Sequence, residues 1–177
     1  ISTTVSMCAR FLAAPTQVHL DQAVRILAYL VNTIELSLTF TQTAAPTLRT
    51  YVDASWAADN DTRRSRFGYG VYYGRALVCW KSKLHSCICL STAEAEYIAA
   101  SQAAKEAKWL RLLIDVLEHP GQERKEGEPK ATQIFCDNQA TIAMIDNPRC
   151  SARTKHIELR YHLVRDHALR GLVKFTH

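Results

Sequence analysis

Between Thr92 and Leu117 the chain carries a helical pattern with one face built mainly from alanine. Starting at Glu96, positions at helical spacing are Ala99, Ala100, Ala103, Ala107, Leu110, Ile114 and Leu117. Side chains this small suit close packing on a flat surface, so the stripe calls for a sheet. His119-Pro120-Gly121 is a strong stop for such a helix. The flanking sequence supplies the strands. Arg49 to Trp56, Gly68 to Tyr73 and Ala76 to Lys81 read as three strands, the last two joined at Gly74-Arg75. Short links between consecutive strands imply an antiparallel meander. Thr132 to Cys136 reads as a fourth strand, and a short helix follows from about Gln139 to Ile145, closed by Asn147-Pro148. A further helix from about Thr154 to Leu169 ends at Gly171, and Leu172 to Thr176 gives a last strand. The predicted order is β-β-β-α-β-α-α-β. That order implies an α/β fold with a mixed sheet: three antiparallel strands, then parallel strands, with helices packed on the sheet.

The residues ahead of this unit read differently. Pro15 to Thr33 is an amphipathic helix with a stripe of Leu20, Ala23, Val24, Leu27, Leu30 and Val31. Leu36, Leu38 and Phe40 alternate as a short strand would, and Thr41 to Pro46 has the composition of a linker. A boundary is therefore expected there, dividing residues 1–46 from residues 47–177. The first segment is too short for a core of its own. The chain does not begin with Met and reads as a piece of a longer polypeptide, with no signal peptide expected.

With 47% hydrophobic and 22% charged residues, the composition is globular rather than disordered. No apolar run approaches the ~20 residues that span a bilayer, so no membrane partner is expected. The net charge of +5 is compatible with a polyanion and is weak support for one. The six cysteines form no CxxC pair and no cluster with zinc-finger spacing, so buried free thiols in a reducing compartment are expected.

Three carboxylates stand out. Asp53 lies inside a strand pattern, where Asp is disfavoured, and shares its face with Tyr51 and Ser55. The alternative is an exposed Asp on an edge strand. The long helix offers Glu94 and Glu96. Ser91 and Glu94 have capping-box spacing, and the stripe from Glu94 (Ile98, Ser101, Lys105, Lys108) reads as mostly solvent-facing. Glu96 lies on the alanine face, where a carboxylate needs a partner and a metal ion is the simplest one. Its alternative is a Glu favoured by the helix macrodipole. Asp137 follows a strand and opens a helix, so it is either a metal ligand at a parallel strand end or an N-cap. Hard oxygen donors of this kind suit Mg2+, with Mn2+ as a substitute. Two ions about 3.5–4 Å apart clamp the attacking and leaving oxygens of a phosphodiester.

The strings Tyr51 to Trp56 (YVDASW), Asp61 to Ser65 (DTRRS), Leu90 to Ala99 (LSTAEAEYIA), Ala104 to Ala107 (AKEA), Phe135 to Gln139 (FCDNQ) and Arg153 to Ile157 (RTKHI) resemble the ribonuclease H region of copia-type LTR-retrotransposon Pol polyproteins. The resemblance covers residues 47–177, and residues 1–46 resemble the tail of the preceding reverse transcriptase region. It implies a ribonuclease H-like fold and endonucleolytic hydrolysis of the RNA strand of an RNA–DNA hybrid with two Mg2+ ions. It carries the acidic ligands onto Asp53, Glu96 and Asp137. It further implies the rest of the Pol polyprotein, including its reverse transcriptase, as a partner. The expected location is intracellular, in a cytoplasmic virus-like particle or the nucleus. Family members have a fourth acidic residue in a helix after the last strand. Asp166 lies in the preceding helix and does not match it, so a domain truncated before its last helix is expected.

The same motifs offer nucleic-acid contacts. Arg63, Arg64 and Ser65 precede the second strand, and arginine pairs well with phosphate; a solvated basic loop is the alternative. Trp56 is the stacking candidate, whereas Trp80 and Trp109 are expected in the core. Asn138, Gln139, Lys155 and His156 complete the set. Two other readings remain: a catalytically silent nucleic-acid-binding remnant, and a structural subdomain of a reverse transcriptase. The residues leave the oligomeric state open.

Overall fold

The computed structural model describes residues 1–42, 46–120, 131–147 and 158–177, without the side chains of residues 158, 159 and 161. The elements in order are α1 (Ser2–Cys8), a 3-10 turn (Ala9–Phe11), α2 (Gln17–Asn32), β1 (Leu48–Ser55), β2 (Arg66–Tyr73), β3 (Ala76–Leu84), α3 (Thr92–Glu118), β4 (Thr132–Cys136), α4 (Gln139–Asp146), α5 (Glu158–Leu169) and β5 (Val173–Thr176). One sheet has the order β3-β2-β1-β4-β5. The β1–β2 and β2–β3 pairs are antiparallel, and the β1–β4 and β4–β5 pairs are parallel. This is the mixed, ribonuclease H-like sheet that the element order implies. The β2–β3 turn closes at Gly74, whose φ of 62 is left-handed backbone that glycine adopts without strain.

Alternation in β1 and β2 sends Leu48, Val52, Phe67, Tyr69 and Val71 to the face that carries α3. Against them lie Ala99, Ala103, Ala104, Ala107 and Leu110, joined by Ile134, Cys136 and Val173. A second cluster (Cys89, Ala95, Tyr97, Ile98, Ala100, Ile145, Val164) fills the space between the start of α3, α4 and α5. α3 is therefore packed on two sides along its first half. This corrects the reading of the Glu94 stripe: Glu94, Ile98 and Ser101 are buried, because helices cover that face. Further on, Leu117 is exposed.

Other expectations also fail. Leu36, Leu38 and Phe40 form no strand and are exposed. Trp80 and Trp109 are 58% and 56% exposed rather than in the core. Trp80 pairs with Gly70 on β2, opposite the face of the alanine helix, and Trp109 lies on the outer side of α3. The α2 stripe exists, but Leu20, Val24, Leu27, Leu30 and Val31 are all exposed. The described cysteines are free, as expected, yet only Cys89 and Cys136 are buried; Cys8, Cys79 and Cys87 are half-buried. α1 was not legible in the sequence. It is tied to the sheet by the Arg66 guanidinium donating to Ser6 Oγ (3.0 Å) and by Thr3 and Ser82 hydroxyls 2.9 Å apart.

Candidate active site

The last registered pair of the β1–β4 ladder is Val52 with Cys136. Asp53 follows Val52 within β1 and Asp137 follows the last residue of β4, so the parallel register directs both to the carboxyl ends of adjacent strands. β1 is the central strand, which removes the edge-strand reading of Asp53. Its cross-strand neighbour on β2 is Gly68, so no side chain stands directly opposite the carboxylate on that strand. The capping alternative for Asp137 also falls away. Asn138 is the N-cap of α4, its Oδ1 accepting from Thr141 N at 2.9 Å, and Asp137 stays exposed.

Glu96 reaches the same place from α3. Its Oε1 accepts from the Ala54 amide at 3.0 Å, and the Cys136 thiol lies 4.0 Å from Oε2. Glu94 does not compete for this position. It takes the Leu90 amide at 2.7 Å while Ser91 Oγ accepts from its own amide at 3.1 Å, so it fixes the start of α3. Glu96 is only 4% exposed. Burial, above all, pushes its carboxyl up to about 7; the Ala54 amide opposes this, and the Asp53 and Asp137 carboxylates add to it. Asp53 also shares a hydrogen bond with Glu96. Asp53 and Asp137 thus both act on Glu96 at the carboxyl ends of β1 and β4, although Asp53 lies outside the group of mutually close ligand atoms formed by its neighbours.

Glu96, Cys136 and Asp137 each offer a ligand atom within 4.8 Å of the others. A buried carboxyl with raised proton affinity, facing further carboxylates, is a donor set that a divalent cation relieves, so the residues fit a metal. Cys136 was missed as a member of the group. Its position just before Asp137 was the available signal, but in a strand pattern it read only as core.

The loop from residue 56 to residue 65 leaves the same edge. Trp56 is half-exposed, with Nε1 donating to the Cys89 carbonyl at 2.9 Å, so its ring is held in place. Arg63 and Arg64 are exposed. Ser65 is not: it is fully buried, and its Oγ accepts from the Ala57 amide at 3.1 Å. Its expected contact with nucleic acid is corrected to a staple inside the loop. Asn138 spends its carbonyl oxygen on the cap, and Gln139 is exposed beside it. Lys155 and His156 lie outside the described residues.

His85 closes the lower side of this loop. Its amide donates to Ser65 O at 2.8 Å, its ring is 5.0 Å from Phe67, and its Nε2 has no partner among the described residues. Burial, then the nearby Arg160, pulls the imidazole down to about 4, with Glu94 opposing. The unfolded chain therefore takes up a proton near pH 6.5 that the folded chain refuses until about pH 4. Stability that is present above this window is lost as pH falls through it. Relative to a His85→Gln variant, the parent should lose about 2–3 kcal/mol between pH 6.5 and 4. Urea unfolding at several pH values checks this; parallel curves for the two proteins would refute it.

No protein-family model matches the chain. Among curated proteins it is 39% identical over 166 residues to a retrovirus-related Pol polyprotein from transposon TNT 1-94 of Nicotiana tabacum, covering 94% of this chain and 12% of that protein. It is 32% identical over 177 residues to the corresponding polyprotein from transposon RE1 of Arabidopsis thaliana, covering 100% of this chain and again 12% of the relative. The chain thus spans about 12% of the length of these curated relatives. Among solved structures, the N-terminal RNase H domain of a Mycobacterium tuberculosis protein superposes with a TM-score of 0.49 at 9% identity, covering 75% of this chain and 83% of that one. That likeness is weak, and the fold rests on strand order and register. These define the chain as ribonuclease H-like in class. It belongs to the family of copia-type retrotransposon Pol polyproteins. Among the described residues no helix is long and apolar enough to cross a membrane.

Proposed function

We propose that residues 47–177 hydrolyse the RNA strand of RNA–DNA hybrids during reverse transcription, and that residues 1–46 are the end of the reverse transcriptase region of the same polyprotein. The observation that supports the reading is that Asp53 and Asp137 both act on the buried Glu96 carboxyl at the carboxyl ends of β1 and β4. These three would hold two Mg2+ ions, or Mn2+ in their place. When bound, such ions supply positive charge against the scissile phosphate and activate water for attack.

The chain's own residues do the rest. The Ala54 amide fixes Glu96 Oε1, and Oε2 lies 4.0 Å from the thiol of Cys136, the residue before Asp137. Asp137 is free because Asn138 does the capping. Arg63 and Arg64 project from the same edge to pair with backbone phosphates. Trp56 presents an anchored ring beside the first carboxylate for stacking on a sugar or base. Choice of the RNA strand would come from contacts to 2′-hydroxyls across the wide minor groove. The partners are the hybrid and the remaining Pol polyprotein. The place of action is that of reverse transcription, a cytoplasmic particle or the nucleus.

The test is cleavage of a hybrid labelled on each strand, with DNA and RNA duplexes as controls. The expected result is Mg2+-dependent scission of the RNA strand alone, leaving 3′-hydroxyl and 5′-phosphate ends, and none in EDTA. A chain that binds hybrid but never cuts it in Mg2+ or Mn2+ would be a binding module instead.

A further inference from the structure

The loop that presents Arg63 and Arg64 is wound around one carboxylate. Asp59 is 7% exposed, and its Oδ2 accepts from the Thr62 amide at 3.0 Å and from the Thr62 hydroxyl. Its main chain closes the same loop: Arg63 N donates to Asp59 O at 2.8 Å, and Asp59 N donates to Arg64 O at 3.1 Å. This closure holds Arg63 at φ 54, left-handed backbone that a long side chain adopts only under constraint. The cation on the carboxylate comes from far away in the sequence. Arg10 forks onto Asp59, Nη1 donating to Oδ1 and Nη2 to Oδ2 at 3.1 Å, with Asp61 Oδ2 3.7 Å from Nη2. The guanidinium lies 5.5 Å over the Phe11 ring, and that ring stacks on His19 of α2 at 4.0 Å.

We propose that Arg10 is a positioning residue: it holds Asp59, and through it the conformation in which Arg63 and Arg64 meet the phosphates of the hybrid. The proposal rests on the functional reading above. Its physical basis is the cost of a buried carboxylate without its cation, which the loop would relieve by opening Asp59 to water. Opening breaks the two main-chain bonds that fix Arg63 and Arg64. Arg10 itself is occupied by Asp59 and contributes little to phosphate binding directly. The segment ahead of the sheet therefore sets the grip of the nuclease unit on its substrate.

The experiment uses the full chain with Asp53→Asn throughout, so that hybrid is bound in Mg2+ without being cut. Hybrid affinity is measured across a salt series for this parent, for Arg10→Met, for Arg63→Ala with Arg64→Ala, and for all three changes together. Two lost phosphate contacts lower the salt slope by about 2 and affinity by roughly tenfold or more. Arg10→Met should reproduce most of that slope change, and Arg10→Lys, which keeps charge without the fork, should recover part of it. The combined variant should bind no more weakly than Arg63→Ala with Arg64→Ala. An unchanged slope in Arg10→Met, or losses that multiply in the combined variant, would overturn the proposal. Should Arg10→Met fail to fold by circular dichroism, Arg10→Lys is compared with the parent and the arginine pair by the same two criteria. A parent that binds hybrid no better than it binds a DNA duplex would count against the functional reading instead.

Discussion

Asp53→Asn is expected to lower hybrid cleavage by on the order of a thousandfold while leaving hybrid affinity unchanged or slightly improved. The substitution keeps the shape of the side chain and removes one negative charge where the phosphate and its counter-ions must sit. Loss of a single preorganised charge at a reacting centre costs roughly a hundredfold to a thousandfold in rate. Asp53 is the exposed carboxylate on the central strand, so the fold itself depends little on its charge. Affinity should not fall, because the basic loop is untouched and a repulsive charge is gone. Single-turnover cleavage alongside equilibrium binding reads both quantities. A variant that cuts as fast as the parent would remove Asp53 from the site.

The second large effect is on stability and has an unusual sign. Glu96→Gln should stabilise the metal-free chain at pH 8, by about 2 kcal/mol. The folded Glu96 carboxyl titrates near 7, above its ordinary 4.5, so the folded state resists ionising it. As pH rises through that window the parent loses stability that the amide retains. Gln can still accept from the Ala54 amide, and its NH2 can donate toward Asp53, so the polar contacts survive. Added Mg2+ or Mn2+ should then raise the melting temperature of the parent much more than that of the variant, because a cation relieves the repulsion that Gln has already removed. A destabilised variant, or one whose melting temperature rises with metal as much as the parent's, would mean that the buried Glu96 charge is not what costs the metal-free fold its stability.

Much of this was legible in the residues because local and tertiary preferences agree. The alanine stripe predicts both a sheet and which glutamate faces it, and Glu96 does lie against that sheet. β4 matches its expected span from Thr132 to Cys136, since the run is short, apolar and clearly bounded. Where tertiary context decides, the pattern misleads. The start of the stripe at Glu94, through Ile98 and Ser101, is buried because α4 and α5 fold over it, which helical periodicity cannot show; Lys105 further on is exposed as expected. Ser65 sits in a basic string yet points inward, because a one-residue difference in a loop reverses direction. Leu36, Leu38 and Phe40 alternate, yet among the described residues they pair with no strand. Arg10 and Asp59 are 49 residues apart, and nothing local marks either as the other's partner.

The methyl groups of Ala99, Ala103 and Ala107 do more than fill space. They act as a spacer of fixed thickness, and the reach of Glu96 toward Asp53 is set by how near the helix axis lies to β1. A bulkier residue three turns away would tilt α3 like a lever and withdraw the carboxylate without touching it. Tolerance to mutation in this core is therefore bounded by the geometry of the site as well as by packing.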